Sequence, residues 1–349
     1  MPREVSGASG NVPRVVSFES PVHDTSFPFD TLVPSWSAAT PPGTWIRLRF
    51  TVRSGGRWSP PLDLGAWASG ATDIRRRSAR AQDAGAAHAW TVDTDTVRHA
   101  RPGVRADAYR YEADLVSVDP ALSPVVREVS VLVSDSSRHG ESPEDHEPNG
   151  SARGVSLPVP ARSQMVFPDG GEAWCSPASL SMVMAYWARE TGDPGLDQPV
   201  PAVAEGVYDH SYEGWGNWPF NTAHAADLGL EARVGRLRSL DEAEGWLSEG
   251  VPLVASVAWD DGKPGQGLPG APLARSDGHL LVIRGFTPSG GVVVNDPAAR
   301  DDWGVPRVYR RGEFSRAWLR NDGSSGGIAY LVHPTGWAAP GARVPRRNP

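Results

Sequence analysis

The apolar residues of this 349-residue chain change their repeat part-way along it. A helix-period pattern cannot sit as a strand, nor a strand pattern as a helix, so a single uniform architecture is excluded. Over residues 45–53 the apolar side chains alternate strictly, at Ile46, Leu48, Phe50 and Val52. That period of two predicts a half-buried strand, closed by a turn at Ser54-Gly55-Gly56. Further β-rich pieces stand at 88–97, 109–115 and 125–133, with Gly, Pro and Asp between them. Short strands punctuated in this way predict an all-β, sandwich-like domain over residues 1–133.

The stretch 134–154 is Ser, Asp, Glu, Arg, His, Pro, Asn and Gly with almost nothing apolar. It cannot bury enough surface to offset its ordering entropy, which predicts a polar linker. Beyond it the period lengthens. Leu180, Val183, Met184 and Trp187 share one helical face, and Ser239-Leu240-Asp241-Glu242 fits a capping box opening a helix that ends near Glu249. Strands are expected at 253–259, 279–286, 291–295 and 328–332, with a short helix near 314–319. Helices first and antiparallel strands afterwards predict an α+β domain over 155–349.

Composition narrows the function classes. Lys and Arg number 34 against 41 Asp and Glu, a formal net charge of −7, and a phosphate-binding surface would need a clustered basic face. Nucleic acid is therefore not an expected partner. Only Arg75, Arg76 and Arg77 and the tail Arg343, Arg346 and Arg347 are locally basic, and both read as solvated surface. No apolar run reaches the roughly 18–20 residues of a bilayer span, so no membrane partner is expected either. The first thirty residues lack a basic segment followed by an apolar core, which makes the cytoplasm the default location while leaving export open. Gly and Pro make up about a fifth of the chain against a usual share of roughly 12%, and with 14 Trp this suggests turn-rich β structure.

The chain has one cysteine, Cys175, which excludes an internal disulfide framework and every multi-cysteine metal pattern. Neither a metal nor an organic cofactor is expected. Ser176-Pro177 follows Cys175, and proline favours a first helical turn, so the thiol is placed at a helix N-terminus. Free amides and the helix dipole there favour the thiolate, the nucleophilic form. A lone cysteine can equally be a small buried hydrophobe, and what separates the readings is a base.

Among nine histidines, His279 is delivered by Asp277-Gly278 to the start of the apolar strand Leu280-Leu281-Val282-Ile283. The next strand leads into Asn295-Asp296-Pro297. If Phe286 opposes Gly291 across the hairpin, Asp296 opposes Leu281 and lies diagonal to His279, about 7 Å away at the α-carbons. A one-residue shift of register would offer Asn295 instead, and an Asp-Pro turn at a strand end is the plain structural alternative. For the oxyanion of an acyl transfer, the Cys175 amide and the Gln164 side chain are the candidate donors.

Taken together, Gln164, then Trp174-Cys175-Ser176-Pro177, then Asp277-Gly278-His279-Leu280-Leu281-Val282, then Val293-Val294-Asn295-Asp296-Pro297 resemble the papain-like cysteine peptidases. The nearest likeness is to cysteine peptidase family thirty-nine, which cleaves bacteriocin leader peptides, in its stand-alone actinobacterial form. The resemblance implies a papain-like fold with Cys175 as nucleophile, His279 as base and acid, Asp296 as orienter and Gln164 as oxyanion donor. It departs in the spacing of eleven from Gln164 to Cys175, against about six in leader-processing members, and in Ser176 where glycine is usual. Gly214 to Asn221 also resembles the stand-alone members, with Asn221 capping the next helix. Trp174, Ser176, Trp215, Asn217 and Trp218 are the expected cleft residues.

The implied function is hydrolysis of a peptide or amide bond in a peptide or protein substrate through a thioester. Acyl transfer to an amine on the same dyad is one alternative, and a non-catalytic peptide- or carbohydrate-binding protein on this scaffold is the other. The Trp-rich N-terminal domain leaves room for a carbohydrate or cell-surface polymer as partner, through Trp36, Trp45, Trp58, Trp67 and Trp90.

Overall fold

The computed structural model describes residues 13–70, 74–79, 89–138, 150–337 and 340. His88, most of the polar stretch 134–154 and the basic tail Arg343, Arg346 and Arg347 lie outside them. Among the described residues are five α-helices and sixteen strands, an α+β protein. The chain forms two compact units. One runs to Ser137 and takes in Glu205–Asp227; the other is Arg138–Ala204 with Leu228 onward.

The first unit begins with β1 (Arg14–Glu19), β2 (His23–Phe29), β3 (Thr31–Ala39), β4 (Thr44–Ser54), β5 (Arg57–Trp58) and β6 (Leu62–Trp67). It continues with β7 (Trp90–Asp93), β8 (Thr96–His99), β9 (Ala106–Ser117) and β10 (Val125–Ser134). β1, β9, β4 and β5 pair in that order, with β2 added on β9 and β6 on β4; a second sheet runs β10, β3, β8, β7. The alternating residues Ile46, Leu48, Phe50 and Val52 of β4 bury in a core shared with Leu32 and Trp36 of β3 and Val92 and Val97 of the β7–β8 hairpin. The stretch 88–97, read as one strand, is therefore a hairpin, with Thr94 at a positive φ of 56° in its turn. Trp36, Trp45, Trp67 and Trp90 are buried, so only Trp58 of the five keeps a partly open ring, with Arg53 and Arg110 over it.

The second unit is built on α1 (Cys175–Thr191) and a six-stranded antiparallel sheet. α2 (Val200–Val207) and α3 (Trp218–Asp227) follow α1 in sequence, and then come β11 (Leu230–Arg236), α4 (Leu240–Ser248), β12 (Leu253–Asp260), β13 (Arg275–Phe286), β14 (Val292–Asn295), β15 (Pro306–Tyr309), α5 (Arg311–Leu319) and β16 (Ile328–Pro334). The sheet order is β11, β16, β12, β13, β14, β15. Alternation sorts its faces: Leu253, Ala255, Val257, Leu281 and Ile283 share one core with Leu240 and Leu247 of α4 and Phe314 and Trp318 of α5. Val254, Leu280 and Val282, of the opposite parity, are buried too, and α1 packs on β12, β13 and β16. That is why β12 reads as a nearly continuous apolar run.

α1 departs from a one-sided amphipathic helix. Every residue from Ser176 to Ala188 is buried, because Ser176, Ala178, Ser179, Ser181 and Ala185 are small enough to let neighbours close on the faces that Leu180 and Trp187 do not fill. Gly192, at φ 73°, ends it in the left-handed region. The capping box is present in altered form: Ser239 accepts from the Glu242 amide, while the Glu242 carboxylate reaches the Arg238 amide rather than that of Ser239. Both described ends of the polar stretch belong to folded elements. Ser134 pairs with Thr31 in β10, and Ala152, 0% exposed, sits in the core of the second unit.

Candidate active site

Cys175 is the first residue of α1 and partly exposed. First-turn amides have no partner within a helix, so they are available to an anion. Burial pushes the Cys175 thiol up. A hydrogen bond from His279, the charge of that ring and the amides of Leu280 and Ser176 outweigh it and leave the thiol below its ordinary value of 9.0. The helix is tied to the histidine's strand one turn further on, where Ser179 Oγ donates to the Leu280 carbonyl at 3.0 Å.

His279 is 3% exposed and lies inside β13 rather than at its start, since the strand begins four residues earlier at Arg275. Residues 275–278 are mostly exposed and polar, so no apolar pattern marked them. A register shift in β12, between Val257 and Trp259, falls opposite this point, and the Trp259 ring stands edge-on to the imidazole at 5.6 Å. His279 Nε2–H donates to Asp296 Oδ1 at 2.8 Å, which leaves Nδ1 for the sulfur. Burial lowers the imidazole's affinity for its proton, but the Asp296 charge and hydrogen bond, with the contribution of Cys175, raise its pKa to about 10.

Asp296 is fully buried, yet its carboxyl is held below the usual range by the His279 charge and by hydrogen bonds from His279, Tyr309 and the Ala298 amide, against burial, which acts the other way. Tyr309 Oη donates to Oδ2 at 2.8 Å and the Ala298 amide to Oδ1 at 3.1 Å. The register that delivers this carboxylate differs from the simple hairpin count. Phe286 opposes Val292, not Gly291, a slip that by itself would turn Asp296 to the wrong face. Arg284 is an unpaired bulge that takes the slip back, so that Ile283 meets Val294 and Val282 meets Asn295. Gly285 beside it permits the close approach of residue 155, because a Cβ there would stand 2.2 Å from the Val155 carbonyl oxygen.

A thiol at a helix start, an imidazole and a buried carboxylate, in that order, are the groups that a nucleophile, base and orienter require. Residues 156–325 match the model of the Peptidase_C39 like family, and residues 13–134 match that of the Peptidase C39 N-terminal domain. The chain belongs to the C39-like peptidases. No curated protein matches it.

In this C39-like domain Asn295 does not face the histidine. Its Nδ2 donates to the Val159 and Pro160 carbonyls and its Oδ1 accepts from the bulged Arg284. Gln164 is buried, and both its Nε2 protons are used, on the Gly171 and Glu172 carbonyls at 2.9 Å each. Those carbonyls belong to the turn that leads into Cys175, so the amide fastens that turn; its Oε1 has no partner among the described residues. Gln164 N–H in turn donates to the Pro297 carbonyl, next to Asp296.

The expected cleft residues separate. Trp174 is half-buried against Phe167, but Ser176 is buried, its hydroxyl on that of Tyr330 at 2.8 Å, and does not line an open cleft. Trp215, Asn217 and Trp218 belong to the first unit. Asn217 is buried there: Nδ2 donates to Asp209, and Oδ1 accepts the Phe220 amide as a cap of α3. The cap expected of Asn221 falls to Asn217, and Asn221 lies one turn inside the helix. Tyr309 escaped the sequence reading, because β15 is four residues long and nothing near it marks a tyrosine as a partner of a distant carboxylate.

Proposed function

We propose that the chain is a cysteine peptidase acting through Cys175, His279 and Asp296. The observation that carries this is the buried His279–Asp296 hydrogen bond, with the imidazole also hydrogen-bonded to Cys175. Asp296 holds the ring in one orientation and favours the imidazolium, which favours the thiolate in turn. The thiolate attacks a substrate carbonyl carbon, forming a C–S bond and an oxyanion that the Cys175 amide faces. Collapse breaks the C–N bond as His279 gives its proton to the leaving amine. Water then attacks the thioester with His279 taking its proton, and the acid departs as the thiolate returns. Gln164 would join as a second oxyanion donor only by exchanging one of its two carbonyl bonds for the substrate.

An activity-based thiol probe at neutral pH tests the reading. Cys175 should label rapidly, His279→Ala should label slowly, and Cys175→Ala should neither label nor hydrolyse a peptide library while keeping its thermal unfolding nearly unchanged. Labelling of the parent protein no faster than a free thiol would end the proposal, as would peptide hydrolysis that survives Cys175→Ala.

A further inference from the structure

The three consecutive arginines of the first unit do not share one role. Arg76 is structural: it is 3% exposed, its guanidinium donates to the carbonyls of Ala68, Ser69 and Glu205, and it lies over the Trp67 ring at 5.4 Å. Arg75 and Arg77 are exposed on either side of it. The segment is extended, with Arg77 bridged antiparallel to Ala66, so these two side chains leave from the same face about 7 Å apart. Neither guanidinium has an ion-pair partner among the described residues.

Both line a cavity of about 830 Å³, within the roughly 300–1,000 Å³ of ordinary ligand pockets. Its other wall is the loop carrying Tyr208, His210 and Ser211. That wall is rigidly fastened. The buried Asp209 carboxylate accepts the amides of Ser78, Ser211 and Tyr212 through Oδ1 and Asn217 Nδ2 through Oδ2, and the His210 amide donates to the Arg76 carbonyl. Tyr208 is braced edge-on by His210 at 4.8 Å and at a tilt by Trp215 at 5.1 Å.

The charge in the cavity is not balanced. The Asp63 carboxylate is taken by Arg47 at 2.7 Å and by the Gly65 amide, which among the described lining residues leaves Glu213 alone against two guanidiniums. Among the described lining residues Ala79 is the only aliphatic side chain, and Ser78, Tyr208 and Ser211, which carry hydroxyls, line the same space. Planar guanidiniums suit carboxylate or phosphate oxygens, and a hydroxyl-rich wall suits a ligand that is itself rich in hydroxyls. A peptide would ask for apolar anchors or an open sheet edge, which the described residues of this lining do not offer.

We propose that the cavity between Arg75, Arg77, Tyr208 and His210 binds an acidic glycan, its carboxylates on the two arginines and its hydroxyls on the opposite wall. The test is isothermal titration of the full chain with trigalacturonic acid, maltotriose and triglutamate, at low and high salt. Trigalacturonic acid should bind and weaken with salt, maltotriose should not bind, and the exposed double substitution Arg75→Ala/Arg77→Ala should lower affinity tenfold or more without moving the thermal unfolding midpoint. Absence of binding by the acidic trisaccharide would overturn the proposal. So would equal binding by the double variant, or triglutamate binding as tightly as the glycan.

Discussion

Tyr309 Oη donates to Asp296 Oδ2 at 2.8 Å, the carboxylate oxygen that His279 leaves free. Both groups are buried, and burial together with the Asp296 charge raises the phenol's pKa, so it stays protonated and remains a donor. We expect Tyr309→Phe to weaken the hold on the ionised carboxylate that orients the imidazole, to move the alkaline limb of the pH–rate curve and to reduce kcat more than KM. A stability loss of about 1–3 kcal/mol should accompany it, for the unsatisfied Asp296 oxygen. A purely structural tyrosine would lose stability and leave the alkaline limb of the pH–rate curve where it was.

Asp296→Ala should lower turnover by about two to four orders of magnitude, because the imidazole loses both its tautomer control and the charge that stabilises its protonated form. Asn295→Ala should act on stability instead, by about 1–3 kcal/mol, since it leaves the Val159 and Pro160 carbonyls without their donor. Parallel kinetic and urea-unfolding measurements on the two variants separate the roles, and a larger kinetic loss in the asparagine variant would contradict the assignment.

The pH profile of kcat/KM follows from the two coupled shifts. The thiol is depressed below 9.0, so the thiolate forms before its ordinary pH, and the imidazole is raised to about 10, so its proton is kept until then. The ion pair therefore exists between the two, and activity should rise through the lower pKa, hold a plateau across mildly alkaline pH and fall near 10. An alkaline limb close to 6.5, where an ordinary imidazole titrates, would show that Asp296 does not act on His279 in this way.

Gln164→Ala discriminates between two uses of one amide. If its bonds to the Gly171 and Glu172 carbonyls are its work, the substitution loosens the turn before Cys175 and costs about 1–3 kcal/mol of stability alongside activity. A pure oxyanion donor would instead lose roughly a hundredfold to a thousandfold in kcat with unfolding unchanged. Thermal unfolding and kcat measured on the same preparation decide it.

By itself the sequence determined what local chemistry controls. Pro177 after Cys175 marks a helix start, and the alternation of Ile46, Leu48, Phe50 and Val52 marks a strand with one buried face; both signals act over a few residues and were met by α1 and β4. Cys175, His279 and Asp296 could be picked out as candidates from their immediate neighbours, although the strand that carries His279 begins four residues earlier than those neighbours suggest. Only the tertiary structure decided which side chain reaches the imidazole. That choice rests on a bulge at Arg284, held by a hydrogen bond to nearby Asn295 and, from more than a hundred residues away, by Ser156 and by the chain near Val155 packing over Gly285. The use of Arg76 as a buried strut between exposed Arg75 and Arg77 was likewise invisible, because three identical residues in a row differ only in what the fold places around them.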